Sequence, residues 1–278
     1  MVTMGTTLKY DELDFKENTN VNEITNKGIL VFTVHRSGSM LVHTLCSELC
    51  SRAGITYYSP HEREFFLPET EEIINSEYWE AKRGCFGPIR WFVNVPNIED
   101  YNVIVHLRDP RDVLVSMFYS YCYSHDGEIE GNTGYRKKVS DAGIDNFVLN
   151  MTSGKPPIRR YGTGQPLLMG NVLERYENYV ANLWGRPNVT FIKYEEMVTD
   201  FPCWLNKLLL PFDIQNINNI TRIFLEACKN EFDVSKEDIW KHKRRVTPGS
   251  HREKLEPETI AELNKRFNNV LIKLNYGL

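Results

Sequence analysis

Residues 31–41 read Val-Phe-Thr-Val-His-Arg-Ser-Gly-Ser-Met-Leu. A run of β-branched and apolar residues ends in a short basic, hydroxyl-rich turn, after which apolar residues recur at helical spacing up to residue 53. A strand, a turn and a helix N-terminus in this order favour anion binding, because backbone N–H groups and the helix dipole both attract negative charge. We therefore expect the turn, with the charge of Arg36 and the hydroxyls of Ser37 and Ser39, to bind a phosphate or a similar group.

The turn differs from two common phosphate-binding loops. A nucleoside-triphosphate loop reads Gly-x-x-x-x-Gly-Lys-Ser/Thr, but the slot before Arg36 holds no glycine and no Lys-Ser/Thr follows Gly38. A dinucleotide-binding turn reads Gly-x-Gly-x-x-Gly, of which only Gly38 is present. On this evidence alone, an ordinary strand-to-helix turn stays open as the alternative.

Residues 101–120 contain a second segment with the same layout. Residues 103–107 are typical of a buried strand, and Arg108 follows at its carboxyl end, where open parallel sheets bind ligands. Pro110 suits the first turn of a helix and places Ser116 two turns into it. A guanidinium and a hydroxyl in this arrangement suit a phosphate dianion. The alternative is an Arg-Asp ion-pair cluster that caps the helix.

Together the two segments resemble the nucleotide-binding motifs of sulfotransferases that use 3′-phosphoadenosine-5′-phosphosulfate (PAPS). The family writes the first motif as Pro-Lys/Arg-Ser/Thr-Gly-Thr/Ser-Thr, where this chain has His-Arg-Ser-Gly-Ser-Met. The resemblance implies that Arg108 and Ser116, eight residues apart, bind the 3′-phosphate of the nucleotide. It also implies that five residues of the turn hold the 5′-phosphosulfate, the last through its backbone only: Arg36, Ser37, Gly38, Ser39 and Met40.

Two further segments follow the order of the family's motifs. Arg244-Arg245-Val246-Thr247-Pro248-Gly249 resembles Arg-Lys-Gly-x-x-Gly, so the resemblance implies that Arg244 and Arg245 bind the nucleotide, although Val246 departs from the pattern. A solvated basic run is the alternative for these cations. Lys-Tyr-Glu-Glu-Met at 193–197 resembles the segment whose tyrosine, here Tyr194, contacts adenine.

The resemblance also implies catalytic roles. Arg36 would stabilise the leaving group electrostatically, because an arginine cannot give up its proton. Glu62 is the preferred general base, since Glu-x-x-Phe-Phe at 62–66 resembles a string in glycan sulfotransferases. A structural ion pair with Arg63 or Arg90 is the alternative for Glu62. His125 and His61 are reserve candidates for the base, and the family's chemistry requires no metal.

Composition limits the classes of protein that fit. With 278 residues, 41% hydrophobic and 25% charged, we expect a polar arm over residues 1–22 and one domain over residues 23–278. A formal net charge of −4 argues against nucleic-acid binding. Neither a signal peptide nor an apolar run of about 18 residues is present, so we expect no membrane contact and a cytoplasmic location. The spacing of the six cysteines indicates reduced thiols and no metal site.

The segment pattern predicts an α/β fold. Strands separated by helical segments indicate a single P-loop-like domain with a central parallel sheet and helices on both faces, which is the fold that the resemblance implies. Gly/Pro-rich residues 60–100 predict short helices and turns, and residues 125–137 a loop or lid. Residues 240–256 are expected to be irregular, and the last helix to run from Pro257 to about residue 275.

The resemblance predicts a PAPS-dependent sulfotransferase that acts on a hydroxyl, amine or carbamoyl nitrogen of a small-molecule acceptor. The overall look resembles bacterial or cyanobacterial natural-product tailoring enzymes, some of which sulfate alkaloid toxins of the saxitoxin kind. A nucleotide-dependent phosphotransferase and a non-catalytic nucleotide-binding relative stay open as alternatives. The oligomeric state is open as well.

Overall fold

The fold is taken from a computed structural model, which describes residues 27–58, 84–124, 133–153, 171–212 and 246–277. The predicted arm over residues 1–22 lies outside these residues.

The centre of the protein is a five-stranded sheet with the order β2-β3-β1-β4-β5, in which every neighbouring pair is parallel. This arrangement confirms the predicted α/β class with a parallel sheet. The strands are β1 (Gly28–Thr33), β2 (Thr56–Tyr58), β3 (Gly84–Ile89), β4 (Tyr101–Leu107) and β5 (Val189–Lys193).

Helices surround the sheet. In chain order they are α1 (Ser39–Ala53), α2 (Pro110–Tyr119), α3 (Thr133–Asn150), α4 (Val172–Leu183), α5 (Tyr194–Thr199), α6 (Phe201–Leu209), α7 (His251–Lys254), α8 (Pro257–Arg266) and α9 (Asn268–Lys273). Short 3₁₀ turns cover Ile98–Asp100 and Leu210–Phe212, and a π-helical turn over Ser120–Ser124 extends α2.

Both faces of the sheet are covered, as the alternation of side chains along β1 shows. Leu30 and Phe32 point to one face and pack with residues of α2, α4, α8 and α9. Ile29 and Val31 point to the other face and pack with residues of α1 and α6. All four side chains are buried. The sheet therefore has a separate apolar core on each side, as predicted.

The strand order places a crevice between β1 and β4. After β1 the chain leads through α1 to β2 on one side of the sheet, whereas the chain after β4 leads to β5 on the other side. At such a switch point the loops that follow the two strands diverge and leave space for a ligand. The turn after β1 and the turn after β4 both lie at this crevice.

The prediction of short helices and turns over residues 60–100 was wrong for β3, which lies between β2 and β1. Its sequence, Gly-Cys-Phe-Gly-Pro-Ile, is typical of a turn by composition. A Cβ at Gly87 would lie 2.2 Å from the carbonyl oxygen of Val31, so only glycine allows this close approach of the two strands. The register against β1 also shifts here, which accommodates Pro88.

Three further boundaries differ from prediction. The loop expected over residues 125–137 includes the start of α3 at Thr133, while residues 125–132 lie outside the described part. Residues 240–256, which were expected to be irregular, include the short helix α7. The single C-terminal helix is divided into α8 and α9 at Phe267, whose ring is fully buried.

Two kinds of feature are absent from the described part of the chain. None of its helices has the length and apolar character needed to cross a membrane. No group of three or more His, Cys, Asp or Glu side chains within it is arranged to hold a metal ion. Cys46, Cys50 and Cys85 are free thiols buried between α1 and β3.

Candidate active site

The turn after β1 has a backbone that favours anion binding. Arg36 and Gly38 both have positive φ, 67° and 79° respectively. A Cβ at Gly38 would lie 3.0 Å from Met197 Cε and 3.4 Å from the ring of Tyr194, so glycine is required for space as well as for conformation. Gly38 is the N-cap of α1, and no side-chain hydrogen bond caps it. The N–H groups at the start of α1 therefore meet the crevice without a side-chain cap.

The hydroxyl of Ser37 is turned into the protein, where the side chain is fully buried. Its Oγ donates to the carbonyl oxygen of Val34 at 2.7 Å and lies 2.7 Å from Oγ1 of Thr33. The hydroxyl of Ser37 therefore stabilises the turn.

A buried histidine, His106, stabilises the turn after β1 through a hydrogen bond to its backbone. Trp204 Nε1–H donates to Nδ1 of His106 at 3.3 Å, and because an indole can only donate, the proton of the imidazole is on Nε2. Nε2 then donates to the carbonyl oxygen of Ser37 at 2.7 Å. Burial lowers the pKa of His106 to about 4 despite the bond to this carbonyl, so the ring is neutral.

Residues of the two predicted phosphate-binding motifs contact each other. Arg36 Nε donates to Oγ of Ser116 at 3.1 Å, across 80 positions of the chain. Arg108 Nη1 donates to the carbonyl oxygen of Arg36 at 3.1 Å. The turn after β1 and the first turns of α2 thus form one cationic site at the switch point of the sheet.

Arg108 is held within this site by several partners. Only 4% of the residue is exposed, and its guanidinium lies 4.3 Å from the centre of the Tyr194 ring, a cation–π arrangement. Nη2 lies 3.8 Å from Oδ2 of Asp112. Among the described residues, Nε of Arg108 is buried and has no hydrogen-bond partner. The guanidinium is therefore held in one orientation by its surroundings.

Arg111, the second arginine of the Arg-Asp-Pro-Arg segment, has a structural role. It binds the Asp109 carboxylate through two bonds of 3.0 and 2.7 Å, and it donates to Oδ1 of Asn264 and to the carbonyl oxygen of Gly277, both at 2.6 Å. Asp109 also caps α2 through the N–H of Arg111. The alternative of an ion-pair cluster that caps the helix therefore describes Arg111, and Arg108 also lies within ion-pair distance of Asp112.

Two tyrosines of α4 hold the ends of the central strands. Tyr176 donates to the carbonyl oxygen of Arg108 at 2.5 Å, and Tyr179 donates to that of Thr33 at 2.7 Å. Burial raises the pKa of both phenols well above the usual value, so both remain donors. The backbone at the carboxyl ends of β4 and β1 is therefore fixed from the same helix.

Tyr194 makes a contact that the sequence did not indicate. Its hydroxyl donates to the carbonyl oxygen of Val246 at 2.9 Å, and its side chain is buried. Val246 is the position that departs from the family's glycine, and its side chain packs in the core beside α1 and α6. The described end of the third motif therefore docks against Tyr194.

Several predicted site residues lie outside the described residues: Glu62, His61, His125, Arg244 and Arg245. The structure does describe Met40, whose side chain is 46% exposed at the start of α1. Arg90 follows β3 and places Nη2 at 3.5 Å from Sδ of Met40. A third arginine thus lies near the crevice, next to the turn that contains Arg36.

Sequence reasoning missed four residues that support this site: His106, Asp112, Tyr176 and Tyr179. One signal was available for His106, because a histidine inside an apolar strand must find polar partners when it is buried. Nothing local distinguishes the two tyrosines from other core aromatics. The role of Asp112 depends on contacts with residues 249–251, far along the chain.

Comparison with known families identifies the group to which the site belongs. Residues 96–275, more than half of the chain, match the family described as the sulfotransferase domain. The chain belongs to this family. The predicted PAPS-dependent sulfotransferase is thereby confirmed at the level of the family. The matched region contains Arg108, Ser116 and Tyr194, whereas Arg36 precedes it.

One of the solved structures that resemble this chain supports the same fold. The mouse sulfotransferase SULT7A1, solved with PAP, superposes with a TM-score of 0.58 at 18% identity, over 91% of this chain and 89% of that one. A retinol dehydratase bound to retinol and PAP gives 0.46 at 15% identity, over 91% and 83%. A retinol dehydratase structure with androsterone and PAP gives 0.45 at 15% identity, over 90% and 82%. No curated protein sequence matches this sulfotransferase.

Proposed function

We propose that this sulfotransferase transfers the sulfuryl group of PAPS to a hydroxyl, amine or carbamoyl nitrogen of a small-molecule acceptor. In the transfer, the acceptor atom bonds to sulfur and the bond between sulfur and the bridging phosphate oxygen breaks. The acceptor proton goes to a base, and 3′,5′-phosphoadenosine (PAP) leaves. The mouse sulfotransferase with the same fold was solved with PAP, which supports this choice of nucleotide.

One observation carries the proposal, namely the contact between the two predicted phosphate-binding motifs. Arg36 reaches Ser116, and Arg108 reaches the backbone of Arg36. A nucleotide with a phosphate at each end of its ribose needs two anion sites that are close together but built from different elements. Cations at the ends of β1 and β4 meet that requirement.

The roles proposed for the turn follow from its geometry. Backbone N–H groups of residues 37–40 would bind the 5′-phosphate, because the N-terminus of α1 has no side-chain cap. The guanidinium of Arg36 would stabilise the negative charge that develops on the bridging oxygen. Its Nε donates to the neutral hydroxyl of Ser116, which is a weaker acceptor than a phosphate oxygen.

Arg108 and Ser116 would bind the 3′-phosphate, with Arg244 and Arg245 adding charge from the third motif. Glu62 is proposed as the base, with His125 and His61 as the other candidates. A carboxylate between aromatic side chains would have the raised pKa that suits this task. The proposed chemistry uses no metal, since cations and N–H donors of the protein supply the charge stabilisation.

The acceptor is proposed from the resemblance described above, as a natural product of the alkaloid kind. An assay with a panel of small phenols, amines and guanidinium alkaloids tests this part. Sulfation of the alkaloids alone would support it, and a preference for simple phenols would overturn it.

Ligand-induced thermal stabilisation tests the nucleotide. Binding to the folded state alone raises the melting temperature, so PAP should stabilise the protein markedly while ATP and NAD should not. Stabilisation by ATP with a magnesium requirement would instead favour the phosphotransferase alternative. PAP binding without sulfuryl transfer to any acceptor would favour a non-catalytic relative.

A further inference from the structure

Asp112 connects Arg108 to a distant segment of the chain. The residue is fully buried in the first turn of α2. Its Oδ2 accepts from the N–H of Gly249 at 2.6 Å, and its Oδ1 accepts from the N–H of His251 at 2.9 Å and lies 2.7 Å from Nδ1 of that residue. Oδ2 also lies 3.8 Å from Nη2 of Arg108.

The carboxylate is strongly held in its charged form. Burial alone would raise the pKa of Asp112, but the hydrogen bond from the His251 ring and the charge of Arg108 outweigh it and lower the pKa to about 2. Asp112 is therefore an anion buried next to the arginine that we assign to the 3′-phosphate.

The negative charge of Asp112 does not by itself help Arg108 to bind a phosphate. A carboxylate near Arg108 repels an incoming phosphate and partly neutralises the guanidinium that should bind it. The donors on residues 249–251 suggest a different role. These groups donate hydrogen bonds to both oxygens of Asp112. The carboxylate therefore determines where this part of the chain lies.

The same segment is held at its other end. The Tyr194 hydroxyl donates to the carbonyl oxygen of Val246, and its ring lies under the Arg108 guanidinium. Residues 246–251 are thus tied twice to the surroundings of Arg108, once through Tyr194 and once through Asp112.

We propose that Asp112 and Tyr194 are positioning residues, which hold residues 246–251 against Arg108 and so shape the pocket for the 3′-phosphate. The proposal rests on the proposed function, since it concerns the same nucleotide. Neither side chain needs to touch the phosphate. Each acts by fixing Arg108 and the backbone next to it.

Replacement of the carboxylate by an amide tests the proposal. In Asp112→Asn, an NH₂ group replaces one carboxylate oxygen, so the side chain can no longer accept from the N–H groups of both Gly249 and His251. Calorimetry should show PAP binding at least about tenfold weaker, while the affinity for AMP, which lacks the 3′-phosphate, stays within about twofold. If Asp112 acted only through its charge, the same variant would bind PAP more tightly. Unchanged or tighter PAP binding, or an equal loss for both nucleotides, overturns the proposal.

A second variant covers the case in which Asp112→Asn does not fold. Tyr194→Phe removes only the hydroxyl that binds Val246 and keeps the ring under Arg108. PAP binding should weaken by about threefold to tenfold and AMP binding should not change. An equal loss for AMP would assign the hydroxyl to adenine and overturn the positioning role of Tyr194.

Asp145→Asn is the matched control. Asp145 accepts from the backbone N–H of Glu256, so it also docks a C-terminal segment, but without contact to Arg108. It should leave the PAP-to-AMP ratio unchanged. Measurements on the wild-type protein distinguish a failure of the proposed function from a failure of the positioning role. No preference for PAP over AMP in the wild type overturns the proposed function, whereas a preference that survives Asp112→Asn overturns only this inference.

Discussion

Nε of Arg36 and Oγ of Ser116 are joined by a hydrogen bond of 3.1 Å, although 80 positions of the chain separate the two residues. One residue belongs to the turn after β1 and the other to α2, which follows β4. Their contact means that the two proposed phosphate subsites are neighbours. A substitution in the turn after β1 should therefore affect the subsite on α2, and a substitution on α2 should affect the turn.

Removal of the Arg108 side chain should weaken the binding of PAP much more than the binding of AMP. Arg108→Ala should bind PAP about 100-fold more weakly or worse, because a buried phosphate charge loses a charge-assisted donor, and AMP should be affected much less. Titration calorimetry measures both affinities. Arg52→Ala, which removes a partly exposed arginine paired with Glu48 on α1, should change neither. An unchanged affinity for PAP in Arg108→Ala would contradict the 3′-phosphate assignment.

At position 36 the backbone conformation favours glycine, whereas sulfuryl transfer should require the charge of arginine. Arg36 has a φ of 67°, a left-handed conformation that glycine adopts freely and alanine does not. Arg36→Gly should therefore be more stable to urea than Arg36→Ala by about 1 kcal/mol, although both lack the bond to Ser116.

Both variants should lose sulfuryl transfer, because neither carries a charge for the leaving group. Equal stability of the two variants would mean that the turn relaxes around position 36. Full activity in either variant would remove Arg36 from the catalytic residues.

Local patterns predicted the strand, turn and helix that carry each candidate residue better than the contacts around them. Arg108 and Ser116 follow from a strand, a proline and a helical repeat, all readable within 20 residues of chain. Because the carboxyl ends of parallel strands meet at one edge of a sheet, Arg36 could also be expected near them.

The rest depended on tertiary contacts that no local pattern contains. β3 was missed because its glycines and proline are typical of turns, whereas the structure needs Gly87 for the close approach to Val31. The docking of residues 249–251 on Asp112 spans more than 130 positions. No local pattern indicates that the Tyr194 hydroxyl donates to the backbone of Val246.

Glu62 is tested by an isosteric change. Glu62→Gln should keep the affinity for PAP and slow turnover by about 10² to 10⁴, which is the usual contribution of a general base. Single-turnover rates at saturating PAPS measure the effect. Glu64→Gln, two residues along the same segment, serves as the control and should remain active. Turnover like that of the wild type in Glu62→Gln would move the role to His125 or His61, to be tested by His→Ala at each position.

The buried histidine predicts a pH dependence of stability. Burial lowers the pKa of His106 to about 4, below the value of about 6.5 in an unfolded chain, so the unfolded state takes up the proton first as the pH falls. The neutral ring therefore stabilises the fold fully above pH 6.5, and this contribution, about 3 kcal/mol, is lost between about pH 6.5 and pH 4.

Urea unfolding at pH values from 7.5 to 4 measures this loss, and His106→Gln provides the comparison. Glutamine can donate to the carbonyl oxygen of Ser37 but does not titrate, so the variant should be less stable at pH 7.5 and should lose less stability on acidification. The stabilisation from Asp112, whose pKa is lowered to about 2, is present throughout this range and is lost only below about pH 4, which separates the two groups. Parallel curves for the wild type and His106→Gln would mean that His106 has the same pKa in the folded and the unfolded state, and the assignment of a buried neutral ring under the Ser37 turn would then be wrong.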